Sequence, residues 1–439
     1  MTKWFRNGTV GTLYDLILIC TLLITTLGGF RQGLSSTFLL GAALTASLIY
    51  LRRFSKVIKV NIVAISIIVA LFTYGMEFYL TYYSKESLRI ADWVKKGFDI
   101  RTNIQVYDDL QRENKSPVLV ITPSILLKEG GVPEIEKEKI FPLTGISRRL
   151  TVLCNETGKW AIYNSDEHGF NNPLGQYKEG IDLLLIGDSF THGYCVEQNQ
   201  TIAANLRKKF PATISIGTGG NGELSRLASL IEYGPTLKPK VVLWIYTENT
   251  LGRLWSELSN PILKNYYETD GFNQQLYDKQ TLIDQALGQF LSRKIEREPR
   301  GTVVDGFDAL NFVKFANLRK SLQYVLDVTQ TKKSQNSNAD EIEIARKILK
   351  KAKKSTESWG GKFYFVYLGT QAKSKGYVDS DHDKLIKLTQ ELELTTIDSF
   401  PVIEKADSLE INAYNGGGHF NAEGYRLFSK VVLDSLSGN

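Results

Sequence analysis

In Leu183-Leu-Leu-Ile-Gly-Asp-Ser-Phe-Thr-His-Gly193, four consecutive apolar residues run into Gly187-Asp188-Ser189 and then into residues able to open a helix. An apolar run of that length bounded by a turn signal predicts a buried strand that breaks sharply at its carboxyl end. That end is where open α/β sheets keep their ligand crevices. A serine at the first helical position there holds its hydroxyl clear of the sheet. Its backbone N–H is one of the unpaired donors of the first turn, which suits a nucleophile whose reaction develops negative charge on oxygen.

Strands and helices alternate on the carboxyl-terminal side of this stretch. Thr213-Ile-Ser-Ile-Gly217, Val241-Val-Leu-Trp-Ile-Tyr246, Lys362-Phe-Tyr-Phe-Val-Tyr367 and Leu394-Thr-Thr-Ile-Asp398 read as strands. Thr201–Phe210, Leu224–Tyr233, the run opening at Asp340 and the run from Asn421 to Leu436 read as helices. This alternation predicts a parallel sheet with right-handed crossovers. Residues 251–338 interrupt it, and their aromatic and helix-like runs, Thr281–Phe290 and Phe312–Val328 among them, predict a helical cap. Ahead of the core, residues 85–180 form an extension: a polar stalk with a short helix, a strand at Pro117–Thr122, and two short β runs around a glycine turn between Thr151 and Tyr163.

The amino-terminal region has a different composition. Leu13–Phe30, Gly33–Leu51 and Val60–Tyr83 are mainly apolar and nearly free of charge. Each is close to the roughly 20 residues that cross a hydrocarbon core. They are expected to be three transmembrane helices within residues 1–84, with the bilayer as a partner. Lys3 and Arg6 before the first stretch, and Arg52, Arg53, Lys56 and Lys59 before the third, place those flanks in the cytoplasm and the large carboxyl-terminal part outside it. A formal charge of +6 over 439 residues calls for no nucleic acid or other polyanion. Cys154 and Cys195 lie beyond these stretches. They read equally as a bridge in an oxidising compartment or as two separate buried thiols.

Four candidate site positions fall at sheet edges: Ser189 after the first core strand, Gly219-Gly220 after the second, Asn249 after the third, and His419 before the last helix. With Gly187-Asp-Ser189 and His419-Phe-Asn-Ala-Glu-Gly-Tyr425, this order resembles the SGNH/GDSL hydrolase superfamily over roughly Ile181–Ser435. The resemblance implies a flavodoxin-like three-layer α/β/α fold and an acyl-serine mechanism with no metal or organic cofactor. Ser189 would be the nucleophile and His419 the general base. An oxyanion hole would be formed by the N–H groups of Ser189 and Gly220 and the side-chain amide of Asn249.

The expected orienting aspartate is absent: its position, three residues before the histidine, is Gly416. A Ser-His dyad held by a backbone carbonyl, a substitute acid such as Asp407, Glu410 or Glu423, and a site without hydrolysis all remain open. Asp188 is expected to bond local backbone, and His192 to have a positional or surface role. Three functions follow. The first is a membrane-anchored serine esterase acting on a short-chain O-acyl ester of a glycan or lipid. The others are an O-acyltransferase decorating cell-surface polysaccharide and a non-catalytic glycan-binding module.

Overall fold

The computed structural model describes residues 56–83, 92–135, 137–178, 180–247, 251–298, a few between 315 and 322, 338–369, 382–414 and 417–438. It divides into two units, residues 1–89 with 306–330 and residues 90–305 with 331–439.

The first unit contains a helix, Lys56–Tyr83, that covers the third apolar stretch. The first two stretches lie outside the described residues. Among the described residues no helix is long and apolar enough to cross a membrane. In this one the run free of Lys, Asn and Glu extends only from Ile62 to Met76, short of the roughly 20 residues a span needs.

In the second unit the extension folds as a small mixed sheet. Strand β1 (Val118–Leu119) pairs parallel with β2 (Leu150–Cys154), which pairs antiparallel with β3 (Ala161–Asn164). The expected stalk is instead partly core. Helix Asn103–Arg112 opens with a Thr102 capping box and buries Ile104 and Val106 among Leu119, Leu126, Leu143 and Val152.

The central sheet has five parallel strands. They are β4 (Leu183–Ile186), β5 (Thr213–Ser215), β6 (Val241–Tyr246), β7 (Lys362–Tyr367) and β8 (Thr395–Asp398), in spatial order β5-β4-β6-β7-β8. Side chains alternate between its faces, as the period of two requires. Leu184 and Ile186 meet Leu227, Leu230, Ile348 and Leu349 from helices Glu223–Leu237 and Asn338–Ser358. Leu183 and Leu185 meet Ile202, Leu206, Phe428 and Val432 from helices Ile202–Arg207 and Ala422–Ser437. Strand β4 is covered on both faces, which explains its unbroken apolar sequence. Because the chain leaves β4 for β5 on one side and then returns to β6 on the other, the strand order reverses at β4. A crevice opens at the carboxyl end of such a reversal.

The insertion is not simply a cap. Helices Pro261–Glu268 and Gln280–Arg297 bury Leu263, Tyr266, Ile283, Leu287 and Phe290 in the same cluster as the extension. The expected helical run Phe312–Val328 lies largely outside the described residues. A short antiparallel hairpin unmarked in the sequence, β9 (Asn412–Tyr414) and β10 (Gly417–Phe420), precedes the last helix.

Candidate active site

Gly187 follows strand β4, and Asp188 caps the one-turn helix Ser189–His192, its side chain accepting the Phe190 N–H at 3.2 Å. Asp188 is buried. It also accepts the Thr247 hydroxyl and lies 3.7 Å from Arg226 and 3.5 Å from Arg253. Its task is to hold the turn, and Ser189 is left at the helix start, 8% exposed.

His419, on β10, turns its imidazole to this serine: Nε2 is 2.8 Å from Ser189 Oγ. Its ring lies between Phe190 and Tyr194, with centroids 4.9 and 5.0 Å away. The other ring nitrogen, Nδ1, is 2.9 Å from Oε1 of Glu156, whose Oε2 accepts the His419 backbone N–H at 2.7 Å. The carboxylate thus holds both the ring and the main chain of one residue. Gly418 makes this possible, since at φ +80° a side chain there is strained and its Cβ would lie 2.5 Å from Glu156 Oε2.

Glu156 was not among the expected acids, and it belongs to the extension, in the turn between β2 and β3. Asp407 instead accepts the Leu409 N–H at 2.9 Å, and Glu423 pairs with Arg426 at 2.5 Å. Gly416 and Asn249 lie outside the described residues. The one sequence signal that points to Glu156 is the cysteine pair. Cys154 and Cys195 form a disulfide, with Cα atoms 5.2 Å apart, so the turn two residues beyond Cys154 lies beside the segment six residues beyond Ser189. Glu156 is the acid in that turn. Glu156, Cys195 and His419 bring donor atoms within 4.8 Å of one another, but the Cys195 sulfur is committed to the disulfide.

Opening this disulfide, as Cys154→Ser with Cys195→Ser, is expected to release a loop of 41 residues and to cost about 4 kcal/mol by loop-closure entropy. The same change frees the turn carrying Glu156, so the reactivity of Ser189 toward a fluorophosphonate in the double variant is expected to fall more than its melting temperature explains. Reactivity equal to wild type at a temperature where the variant remains folded would show that the turn is held without the bridge.

The second loop is equally constrained. His192, fully buried, accepts the Gly219 N–H on Nδ1 at 3.2 Å and lies 3.0 Å from the Tyr163 hydroxyl through Nε2. Burial first, and the nearby His419 second, push its pKa down to about 3, so the ring is neutral at physiological pH. Ser124, from the extension, donates to Gly219 O at 3.2 Å. In a trans peptide the N–H points opposite the C=O, so this bond turns the Gly220 N–H away from Ser124. With the Gly219 N–H given to His192, Gly220 supplies the available donor. Its φ of +76° and a Cβ that would meet Ser124 Oγ at 2.3 Å account for glycine there. Among the described residues, neither the Ser189 nor the Gly220 N–H donates to a protein acceptor.

His168 and His382 are engaged elsewhere, His168 against the Tyr177 and Tyr277 rings and His382 with Asp398 at 2.9 Å. What the site brings together is therefore a serine hydroxyl, an imidazole aligned by a carboxylate, and two uncommitted N–H donors. That set can remove a proton from an alcohol and stabilise an oxyanion.

No protein-family model and no curated protein matches the chain. Solved structures overlap it in part. A member of the lipolytic protein G-D-S-L family from Veillonella parvula is 14% identical with a TM-score of 0.31, the match covering 58% of this chain and 98% of that one. A two-domain esterase active on acetylated mannans is 12% identical with a TM-score of 0.29, covering 60% and 50%. An alpha/beta hydrolase enzyme from the metagenome of Lake Arreo, Spain, is 12% identical with a TM-score of 0.33, covering 60% and 98%. Overlaps this slight carry no argument about activity, which rests on the geometry of Ser189, His419 and Glu156.

Proposed function

We propose that the chain is a serine esterase that cleaves a short-chain O-acyl ester on a glycan or lipid through an acyl-serine intermediate. The observation that carries this reading is the unbroken relay from Ser189 Oγ through His419 to Glu156, at 2.8 and 2.9 Å. In it, Ser189 Oγ attacks the ester carbonyl carbon while His419 Nε2 takes the hydroxyl proton. Glu156 keeps the imidazole in the tautomer that accepts at Nε2 and stabilises the imidazolium. The N–H groups of Ser189 and Gly220 hold the oxyanion. As the tetrahedral intermediate collapses, the C–O bond to the alcohol breaks and His419 returns the proton to the leaving oxygen. Water then repeats the sequence on the acyl-serine. A glycan-binding module without turnover had its support in the missing acid at Gly416, and Glu156 removes that support.

The catalytic unit is further proposed to lie outside the cytoplasm on an amino-terminal membrane anchor. Supporting this are the apolar stretches Leu13–Phe30 and Gly33–Leu51, the exposed Ile65, Ile68, Leu71 and Phe72 of the helix Lys56–Tyr83, and a disulfide of the kind that persists in oxidising compartments.

One experiment addresses activity and placement together. A membrane-impermeant fluorophosphonate is expected to modify Ser189 in intact cells. Modification only after lysis would sink the external placement. An unmodified Ser189 in the purified protein would sink the activated serine.

A further inference from the structure

Tyr194 has no part in the relay, yet it lies between the site's two halves. Gly193, at φ +85°, ends the one-turn helix, and the Tyr194 N–H returns to Ser189 O at 3.0 Å. Its carbonyl accepts the buried Tyr425 hydroxyl at 3.2 Å, and its neighbour Cys195 is tied to β2 by the disulfide. The backbone is thereby held before and after the ring. The ring itself packs 5.0 Å from the His419 imidazole and 5.3 Å from that of His192.

The phenol end reaches the oxyanion loop. A Cβ placed on Gly219 would lie 2.1 Å from Tyr194 Oη, so the hydroxyl stands over the Gly219 backbone, beside the peptide that presents the Gly220 N–H. Among the described residues this hydroxyl makes no hydrogen bond to the protein, whereas its neighbours are committed: the Tyr163 hydroxyl with His192, the Gly219 N–H with His192, and the Ser124 hydroxyl with Gly219 O. A donor fixed in place without a protein partner is what a preorganised oxyanion hole requires, because no reorganisation is then needed as charge develops.

We infer that Tyr194 is a further catalytic residue whose phenol hydroxyl donates a hydrogen bond to the oxyanion formed when Ser189 adds to the ester, a third donor beside the N–H groups of Ser189 and Gly220. The inference rests on the serine-esterase reading. No bond is made or broken at Tyr194; the proton stays on the phenol throughout. Burial, with Asp188 and Glu156 nearby, pushes the phenol pKa up to about 12, so the group remains a donor over the working range of an esterase.

The test compares Tyr194→Phe with wild type and Ser189→Ala on an aryl acetate. Phenylalanine keeps the ring against His419 and removes only the donor. The expected result is a fall in kcat of about 100- to 1,000-fold, the range for loss of one oxyanion donor. KM is expected to stay within about twofold, and inactivation by a phosphonate, which forms a tetrahedral oxyanion, to slow in parallel. Ser189-dependent turnover in wild type with kcat unchanged in Tyr194→Phe overturns the role of Tyr194 alone, as does a loss confined to KM. Wild-type turnover no greater than that of Ser189→Ala overturns the esterase reading and this inference with it.

Discussion

Glu156→Gln is expected to lower kcat for ester hydrolysis by about 10⁴, the cost of a triad whose histidine is held in the wrong tautomer, while KM changes little. The substitution is nearly isosteric, and one amide oxygen can still accept the His419 backbone N–H that now reaches Oε2. What changes is the group facing Nδ1. An amide NH₂ there donates to the imidazole, which then carries its proton on Nε2 and presents a donor to Ser189 Oγ instead of an acceptor. Glu156→Asp is expected to fall between the two, because the shorter side chain keeps the charge but cannot reach both His419 atoms. Steady-state kinetics of the three proteins on one aryl acetate decides it. Activity of Glu156→Gln within tenfold of wild type would mean that His419 is oriented by something else.

The second large effect is at the nucleophile. Ser189→Ala is expected to abolish hydrolysis to the level that binding and the oxyanion donors alone sustain, roughly 10⁶-fold below wild type in kcat by analogy with serine hydrolases studied by the same substitution. His419→Ala is expected to cost nearly as much, and the double variant little more than either, because two residues acting as one unit give strongly non-additive losses. Additive losses would show that the 2.8 Å contact between them is not the reacting pair. Alanine at Ser189 leaves the helix cap intact, since the cap bond runs from Phe190 N–H to Asp188. Melting temperature is therefore expected to hold while activity disappears.

The same chain shows where sequence reading succeeds and where it ends. Strand β4 could be read because Leu183–Ile186 lies between two helical layers and must be apolar at every position. The order of Ser189, Gly220 and His419 could be read because each sits at a helix start, in a loop or in a short hairpin adjoining regular elements, whose positions periodicity marks. In the insertion, Thr281–Phe290 was legible as a helix but not as core, and Pro261–Glu268 was not marked at all. Leu263 and Ile283 bury against Leu126 and Leu143 of a segment more than a hundred residues earlier, and no local period reports such a partner.

Glu156 marks the same boundary. By itself the sequence determined a parallel α/β core, a serine poised at a strand end, and a histidine before the last helix, all of them consequences of hydrophobic period and turn chemistry acting over a dozen residues. Which acid stands behind that histidine was decided only by the tertiary structure. Glu156 reaches His419 across 263 residues of chain, because β2 and β3 form a hairpin and Cys154 is bridged to Cys195 beside the nucleophile helix. A carboxylate in a turn has no periodicity to betray it, and its role comes from what the fold brings within 3 Å.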